Sequence, residues 1–261
     1  MKRKKRINEK RSRRGIYVLP NIFTSLNIYF GFFSVISSIN GKFFAAAVSI
    51  IIAAVFDALD GKIARATHTT SKFGVEYDSL ADLISFGMAP GILIYLWALK
   101  PLGRLGWLAA FLYMVCGALR LARFNSQTGQ TKSDHFLGLP IPAAAAMNAT
   151  SVMVCNKFGI EGSANPVLFL ITLYILSFLM VSTIKYDSFK KPELFKSMNF
   201  NVLVTVVLIL IFIAAQPSIA LFLLGLSYVI SGPCLSILHH RQQKNKEVQA
   251  HQIDEQRSNH I

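Results

Sequence analysis

The chain has 261 residues, of which 53% are hydrophobic and only 15% are charged, and its mean hydropathy is +0.46. Soluble domains carry about 25% charged residues, so this composition excludes a disordered chain and argues against an ordinary soluble enzyme. Lysine and arginine outnumber aspartate and glutamate by 27 to 13, which gives a net charge of +14. Nine of the basic residues lie in the first fourteen positions, without the interleaved aromatic residues that nucleic-acid binding would need. We therefore predict a membrane protein with no nucleic-acid partner.

Eight apolar segments are long enough to cross a membrane, which takes about 20 residues of helix. In chain order they are 17–38, 43–64, 79–99, 105–123, 141–158, 164–184, 200–216 and 218–238. The first segment has no clean cleavage site, so it is not a typical signal peptide. We predict an all-α integral membrane protein, a polytopic bundle of about eight transmembrane helices.

The basic residues between the segments predict the orientation. With eight spans and the N-terminus inside, 23 of the 27 lysines and arginines face the cytoplasm, and the other four are Lys42, Lys100, Arg104 and Lys157. This division follows the positive-inside bias. We therefore expect the protein to lie in the inner membrane with both termini in the cytoplasm. We predict three parts: a basic cytoplasmic tail over residues 1–15, a membrane domain over 16–240 and a polar cytoplasmic tail over 241–261.

Four aspartates lie within 26 residues, where the second predicted span ends and the third begins: Asp57, Asp60, Asp78 and Asp82. An ionisable residue within a membrane segment is costly and by default marks a functional site. The spacings of three and four place each pair on one face of its helix. If the two helices form an antiparallel hairpin, the four carboxylates converge near the inner boundary of the membrane. Their mutual repulsion then calls for cations, and hard oxygen ligands suit Mg²⁺, Mn²⁺ or Ca²⁺.

The alternative interpretation is that the aspartates cap helix ends and pair with Lys62, Arg65 and Lys72. Asp78 is a candidate cap of the third helix. Capping, however, does not require four aspartates at these spacings on adjacent helices. Carboxylates that hold two divalent ions suit phosphoryl transfer, because the ions neutralise a pyrophosphate and stabilise the entering and leaving oxygens.

Small residues beside the aspartates give a ligand room. Gly61 and Gly74 allow a phosphate or sugar to approach the backbone, and Ala64 keeps the same face shallow. Arg65 can pair with a phosphate oxygen. The alternative for the small residues is close helix packing, which for Gly61 alone would be the stronger interpretation.

Together these residues form the pattern Asp57-x2-Asp60-Gly61-x2-Ala64-Arg65-x8-Gly74-x3-Asp78-x3-Asp82. The pattern resembles the signature of the CDP-alcohol phosphatidyltransferases at every fixed position. The resemblance implies an integral membrane transferase of phospholipid biosynthesis, which displaces CMP from a CDP-linked lipid with an alcohol and uses two divalent metal ions, Mg²⁺ or Mn²⁺.

The resemblance also implies roles for individual residues. Asp57, Asp60 and Asp78 would be metal ligands. Asp82 would bind the second metal ion or take the proton of the acceptor hydroxyl. The CDP portion would be lined by Gly61, Ala64, Arg65 and Gly74. Asn21 and Thr24 on the first span could hydrogen-bond the nucleotide or a neighbouring helix.

The stretches 78–90, 119–125 and 136–146 bear on the acceptor alcohol. They look like those of bacterial-type phosphatidylserine synthases, and the similarity runs from Arg14 to about residue 185. This resemblance implies CDP-diacylglycerol and L-serine as substrates in a membrane lipid environment, with the active site facing the cytoplasm. It is compatible with a homodimer, which the spacing of the residues does not require.

A serine pocket needs a cation for the serine carboxylate. Arg120 or Arg123 could supply it, with Asn125 nearby, although both arginines could instead only anchor the inner end of the fourth span. Two other functions stay open. One is a related transferase that uses glycerol 3-phosphate or an inositol phosphate as acceptor, and the other is a divalent-cation transporter, which would leave the glycine and arginine positions of the signature without a role.

Overall fold

The computed structural model describes residues 2–67, 71–127, 135–187, 213, 215–234 and 236. The regular secondary structure of these residues is helical except for one short two-stranded ribbon. Five of the helices in the described residues are long and apolar enough to cross a membrane. The predicted helical membrane architecture is therefore confirmed at this level, and the ribbon is a feature that the sequence did not indicate.

The first two helices form an antiparallel hairpin. Helix α1 spans Lys2–Ile39 and helix α2 spans Phe43–Ala66. Between them Gly41 has a φ of +71°, a conformation that favours glycine, and this allows the tight reversal. The basic residues near the N-terminus belong to α1.

Helix α3 covers Lys72–Leu102 and is the third apolar helix. It begins seven residues before the predicted span 79–99, because the Ser71 side chain caps it by accepting a hydrogen bond from the backbone N–H of Gly74 at 3.0 Å. The helix is not uniform along its length. Its consecutive parts are an α-helix over Lys72–Asp82, a π-helix over Leu83–Met88, an α-helix over Ala89–Ile94, a π-helix over Tyr95–Leu99 and a 3₁₀ turn over Lys100–Leu102.

Four more helices follow within the described ranges: α4 over Arg104–Gln127, α5 over Ile141–Lys157, α6 over Pro166–Val181 and α7 over Pro217–Cys234, with a 3₁₀ turn at Gly162–Ala164 before α6. Helices α5 and α6 correspond to the predicted fifth and sixth spans, but they have only 17 and 16 residues. At about 1.5 Å of rise per residue they are short for a hydrocarbon layer of about 30 Å. Almost all of the predicted span 200–216 lies outside the described residues.

The ribbon joins the segment before α5 to the end of α6. Strand β1, His135–Leu137, pairs antiparallel with strand β2, Lys185–Asp187. Gly138 follows β1 with a φ of +79° and donates its N–H to the carbonyl of Ile184 at 2.8 Å. The ribbon therefore fixes the entry of α5 against α6.

The core between the helices is built largely from small side chains. Helices α2 and α5 both bury alanines completely, and these are Ala46, Ala47, Ala53, Ala144, Ala145 and Ala149. Small residues let helix backbones approach closely, which is the usual basis of helix association in membranes. Helix α1 contacts both α2 and α3, and this packing places the end of α2 beside the start of α3.

Candidate active site

The four aspartates of the sequence signature meet at one end of the helix bundle. One carboxylate oxygen from each of Asp57, Asp60 and Asp78 lies within 4.8 Å of the others. The carboxyl group of Asp82 makes a hydrogen-bond contact with that of Asp57. The structure therefore brings together all four predicted residues from α2 and α3.

These carboxylates fit a divalent cation. Asp60 is only 4% exposed. Within the part of the chain that the structure describes, the Oδ1 atoms of Asp78 and Asp82 are buried and have no hydrogen-bond partner. Carboxylates held this close repel one another unless cations or protons lie between them. Because oxygen-rich sites suit hard divalent ions, the cluster can bind a metal such as Mg²⁺ or Mn²⁺.

The capping interpretation of Asp78 is wrong. Ser71 occupies the N-cap position of α3, and Asp78 lies almost two turns inside the helix. Its carboxylate faces the aspartates of α2 and not the backbone N–H groups at the helix start. Asp78 therefore belongs to the acidic cluster and does not cap the helix.

Helix α1 closes the cluster on one side. The buried hydroxyl of Thr24 donates to Oδ2 of Asp60 at 2.8 Å. At the next residue of α1, the Ser25 hydroxyl lies 2.9 Å from the hydroxyl of Tyr77. These two contacts fix α1 against both α2 and α3 and orient the Asp60 carboxylate.

A cavity of about 180 Å³ opens beside the cluster. It is lined by Pro20, Asn21, Thr24, Asp60, Gly61, Ala64, Arg65, Ser71, Gly74, Val75 and Asp78. The six residues that the sequence assigns to the CDP portion are all among them. The sequence interpretation missed Pro20, Ser71 and Val75. For Ser71 a signal was present, since a serine just before a helix start is a typical cap.

The two glycines keep this cavity open. A Cβ atom at Gly61 would lie 3.6 Å from a guanidinium nitrogen of Arg65, and one at Gly74 would lie 3.2 Å from the Ser71 hydroxyl oxygen. Apart from the backbone of α2 itself, the three heavy atoms nearest to a Cβ at Gly61 all belong to Arg65 of the same helix, and none belongs to a neighbouring helix. Helix packing is therefore the weaker explanation for Gly61.

The three residues considered for serine lie in different surroundings. Arg120 interacts electrostatically with Asp82 and with Tyr228 of α7, and its buried Nε has no hydrogen-bond partner in the described ranges. The side-chain amide of Asn125 donates to the Ser79 hydroxyl of α3 at 2.9 Å. Arg120 and Asn125 thus both approach the part of α3 that carries the acidic cluster.

Arg123 points elsewhere. Its Nη1 donates to the carbonyl of Val181, the last residue of α6, at 3.4 Å. This contact links the end of α4 to the end of α6. It favours an anchoring role for Arg123 and leaves Arg120 as the arginine beside the aspartates.

Comparison with known families matches residues 17–184 to the CDP-alcohol phosphatidyltransferase model, which is more than half of the chain. The chain belongs to this family. The matched segment contains the whole acidic cluster and cavity as well as the Arg120 and Asn125 contacts with α3. Members of the family are transferases that use divalent metals, so the enzyme class expected from the signature is confirmed.

Several named proteins are similar to the chain over more than half of its length. The chain is 39% identical to a CDP-diacylglycerol--serine O-phosphatidyltransferase of Helicobacter pylori over 218 residues, which cover 83% of this chain and 90% of the relative. It is 38% identical to the enzyme of that name from Bacillus subtilis, over 66% of this chain and 92% of the relative. It is also 39% identical to an archaetidylserine synthase of Methanothermobacter thermautotrophicus, over 64% and 69%.

Proposed function

We propose that this enzyme transfers the phosphatidyl group of CDP-diacylglycerol to the hydroxyl of L-serine and releases CMP. The observation that carries the proposal is the four-aspartate cluster beside a cavity lined by every residue that the signature assigns to the CDP portion. Three relatives at 38–39% identity bear names of serine-dependent transferases, which supports serine as the acceptor.

The proposed site holds two divalent ions, Mg²⁺ or Mn²⁺, with Asp57, Asp60 and Asp78 as ligands. When bound, such ions neutralise the pyrophosphate and stabilise the entering and leaving oxygens. Thr24 keeps the Asp60 carboxylate in place through its 2.8 Å hydrogen bond. Arg65, which lines the cavity, pairs with a phosphate oxygen of the nucleotide.

Arg120 is the proposed partner of the serine carboxylate. Arg120 interacts electrostatically with Asp82, and its buried Nε has no hydrogen-bond partner among the described residues. A carboxylate bound there places the serine hydroxyl near the aspartates. Asn125, through its contact with Ser79, borders the same region.

In the proposed reaction the serine oxygen attacks the lipid-linked β-phosphorus directly. A bond forms between that oxygen and phosphorus, while the bond from phosphorus to the bridging oxygen breaks and CMP leaves with the bridging oxygen. Asp82 takes the proton of the serine hydroxyl. No phosphatidyl intermediate forms on the enzyme.

The proposed topology has eight spans in the inner membrane, both termini in the cytoplasm and the active site on the cytoplasmic side. Arg65 and Lys72 lie in sequence between the two pairs of aspartates, which agrees with the positive-inside bias. Serine and CMP then exchange with the cytoplasm while the acyl chains stay in the bilayer. The functional unit is proposed to be a homodimer.

An acceptor panel tests the proposal. Purified protein receives CDP-diacylglycerol and Mn²⁺ or Mg²⁺, together with labelled L-serine, glycerol 3-phosphate or an inositol phosphate, and both CMP and labelled lipid are measured. We expect product with L-serine and with no other acceptor of the panel, and we expect CMP and phosphatidylserine to form in equal amounts. Labelled lipid formed only from a phosphorylated alcohol would contradict the acceptor, and metal uptake into vesicles without CDP-lipid turnover would contradict the reaction.

The Asp82→Asn variant tests the proposed base. It should lose turnover and keep binding CDP-diacylglycerol, because the amide cannot accept the serine proton. Glu161→Gln, which changes an exposed acid near the start of α6, serves as the matched control and should leave turnover unchanged. Full activity of Asp82→Asn would refute the role.

A further inference from the structure

A π-helical segment follows the last aspartate of the cluster directly. It covers Leu83–Met88, and at its end the backbone N–H of Ala89 donates to the carbonyl of Ile84, five residues earlier. A π segment inside an α-helix accommodates one extra residue, and such segments are frequent at functional sites.

The register of this segment determines where the aspartates point. In an α-helix each residue adds about 100° of rotation and about 1.5 Å of rise. If the segment changed from π to α, Asp78 and Asp82 would therefore turn relative to the part of α3 that follows. The approach of these carboxylates to Asp57 and Asp60 depends on the π register.

One backbone carbonyl of the segment, that of Phe86, accepts a hydrogen bond from a side chain. In a regular α-helix the carbonyl of Phe86 would accept from the N–H of residue 90, but that residue is Pro90 and has no N–H. The hydroxyl of Tyr113 on α4 donates to the Phe86 carbonyl instead, at 3.2 Å. Tyr113 is completely buried, and Asn148 of α5 lies beside its hydroxyl.

Helix α1 also holds the segment. The hydroxyl of Ser85 donates to the carbonyl of Asn27 at 2.9 Å. At Gly31 a Cβ atom would lie 2.8 Å from the Cα atom of Ser85, so the two backbones touch. The segment is thus fixed from α1 through Ser85 and from α4 through Phe86.

We propose that Tyr113 is a positioning residue for the acidic cluster: its hydroxyl holds Leu83–Met88 in the π register that points Asp78 and Asp82 at Asp57 and Asp60. Tyr113 itself is on another helix and touches the carbonyl four residues beyond Asp82. The inference rests on the metal site of the proposed function and goes beyond it, because it assigns the geometry of that site to a hydrogen bond outside the site.

Mn²⁺ binding to the purified protein without substrate tests the proposal, with free Mn²⁺ measured by electron paramagnetic resonance. Tyr113→Phe removes only the hydroxyl, and we expect its dissociation constant for Mn²⁺ to rise roughly tenfold. Tyr174→Phe, which changes a tyrosine that is 38% exposed on α6, is the matched control and should bind as the parent protein does.

Pro90→Ala is the second variant, and it keeps the Tyr113 ring and hydroxyl. It gives residue 90 an N–H that can donate to the Phe86 carbonyl and so favours the α register. We expect weaker Mn²⁺ binding here as well, with each variant compared at a temperature where thermal unfolding shows it to be folded.

If the folded Tyr113→Phe variant bound Mn²⁺ with unchanged affinity, the proposal would be overturned. This holds even if the unfolding temperature of the variant fell, because a purely structural role of Tyr113 predicts lower stability with unchanged Mn²⁺ affinity. If Tyr113→Phe does not fold, Pro90→Ala decides alone, and parental Mn²⁺ affinity in that variant overturns the proposal. A parent protein that binds Mn²⁺ but transfers nothing to serine would refute the proposed function and leave this test intact.

Discussion

At the scale of single residues, sequence spacing predicted which side chains meet but not how each is held. The intervals of three and four residues placed the aspartates on shared helix faces, and their carboxylates do converge. The same reasoning could not separate Arg120 from Arg123, since both lie on one face of α4. Their tertiary neighbours differ: Arg120 interacts electrostatically with Asp82, and Arg123 donates to the Val181 carbonyl.

This difference gives a prediction for the two arginines. Arg120→Ala should raise the KM for serine at least about tenfold, because a charge-assisted hydrogen bond is worth about 1.5–3 kcal/mol, and should change the KM for CDP-diacylglycerol much less. Steady-state kinetics with each substrate varied in turn measures both effects.

Arg123→Ala is the control for that experiment. It loses the contact with α6 and should lower the unfolding temperature with both KM values unchanged. Equal effects of Arg120→Ala on the two substrates would show that the serine pocket lies elsewhere.

At the scale of the elements, the apolar segments were predictable and the deviations from regular helix were not. The predicted third span begins at residue 79, but Ser71 caps α3 so that its first two turns carry Asp78 into the site. The π segment at Leu83–Met88 leaves no mark in hydrophobic periodicity. The ribbon pairs Phe136 with Tyr186, fifty residues apart, through strands too short to show an alternating pattern.

The contact between α1 and the π segment can be tested by adding one methyl group. Gly31→Ala should destabilise the protein by about 1–3 kcal/mol, because the new Cβ would overlap Ser85 and the backbones would have to separate. Unfolding in detergent, followed by intrinsic fluorescence, measures the change.

Gly225→Ala is the matched control on α7, where the nearest atom to the new Cβ is the Met147 sulfur at 3.7 Å. Its stability should stay within about 0.5 kcal/mol of the parent. If Gly31→Ala were as stable as this control, the close approach of α1 and α3 would be incorrect.

At the scale of the whole molecule, charge and apolar length predicted a membrane protein, and five helices in the part of the chain that the structure describes have the required length and composition. The predicted spans 141–158 and 164–184 are longer than α5 and α6, which have 17 and 16 residues, because a turn follows α5 and the backbone becomes extended at Ser182 after α6. The net charge of +14 follows the positive-inside pattern and does not indicate a nucleic-acid partner.

The orientation can be measured with single cysteines in a background without Cys116, Cys155 and Cys234. A membrane-impermeant maleimide should label Lys72→Cys only in inverted membrane vesicles, because that position lies at the end of the bundle that carries the acidic cluster. Lys157→Cys, at the far end of α5, is the paired position and should react in intact spheroplasts. The reverse pattern of labelling would place the active site outside the cell.

The central claim is that the four aspartates act by holding divalent cations against the CDP-lipid. The most direct test removes metal from the protein with EDTA and measures the formation of labelled phosphatidylserine before and after Mn²⁺ is added back. The Asp78→Asn variant is measured in the same way. We expect no product without metal, recovery of the parent protein with Mn²⁺ and little recovery of Asp78→Asn. An undiminished rate in the metal-free protein would contradict the account.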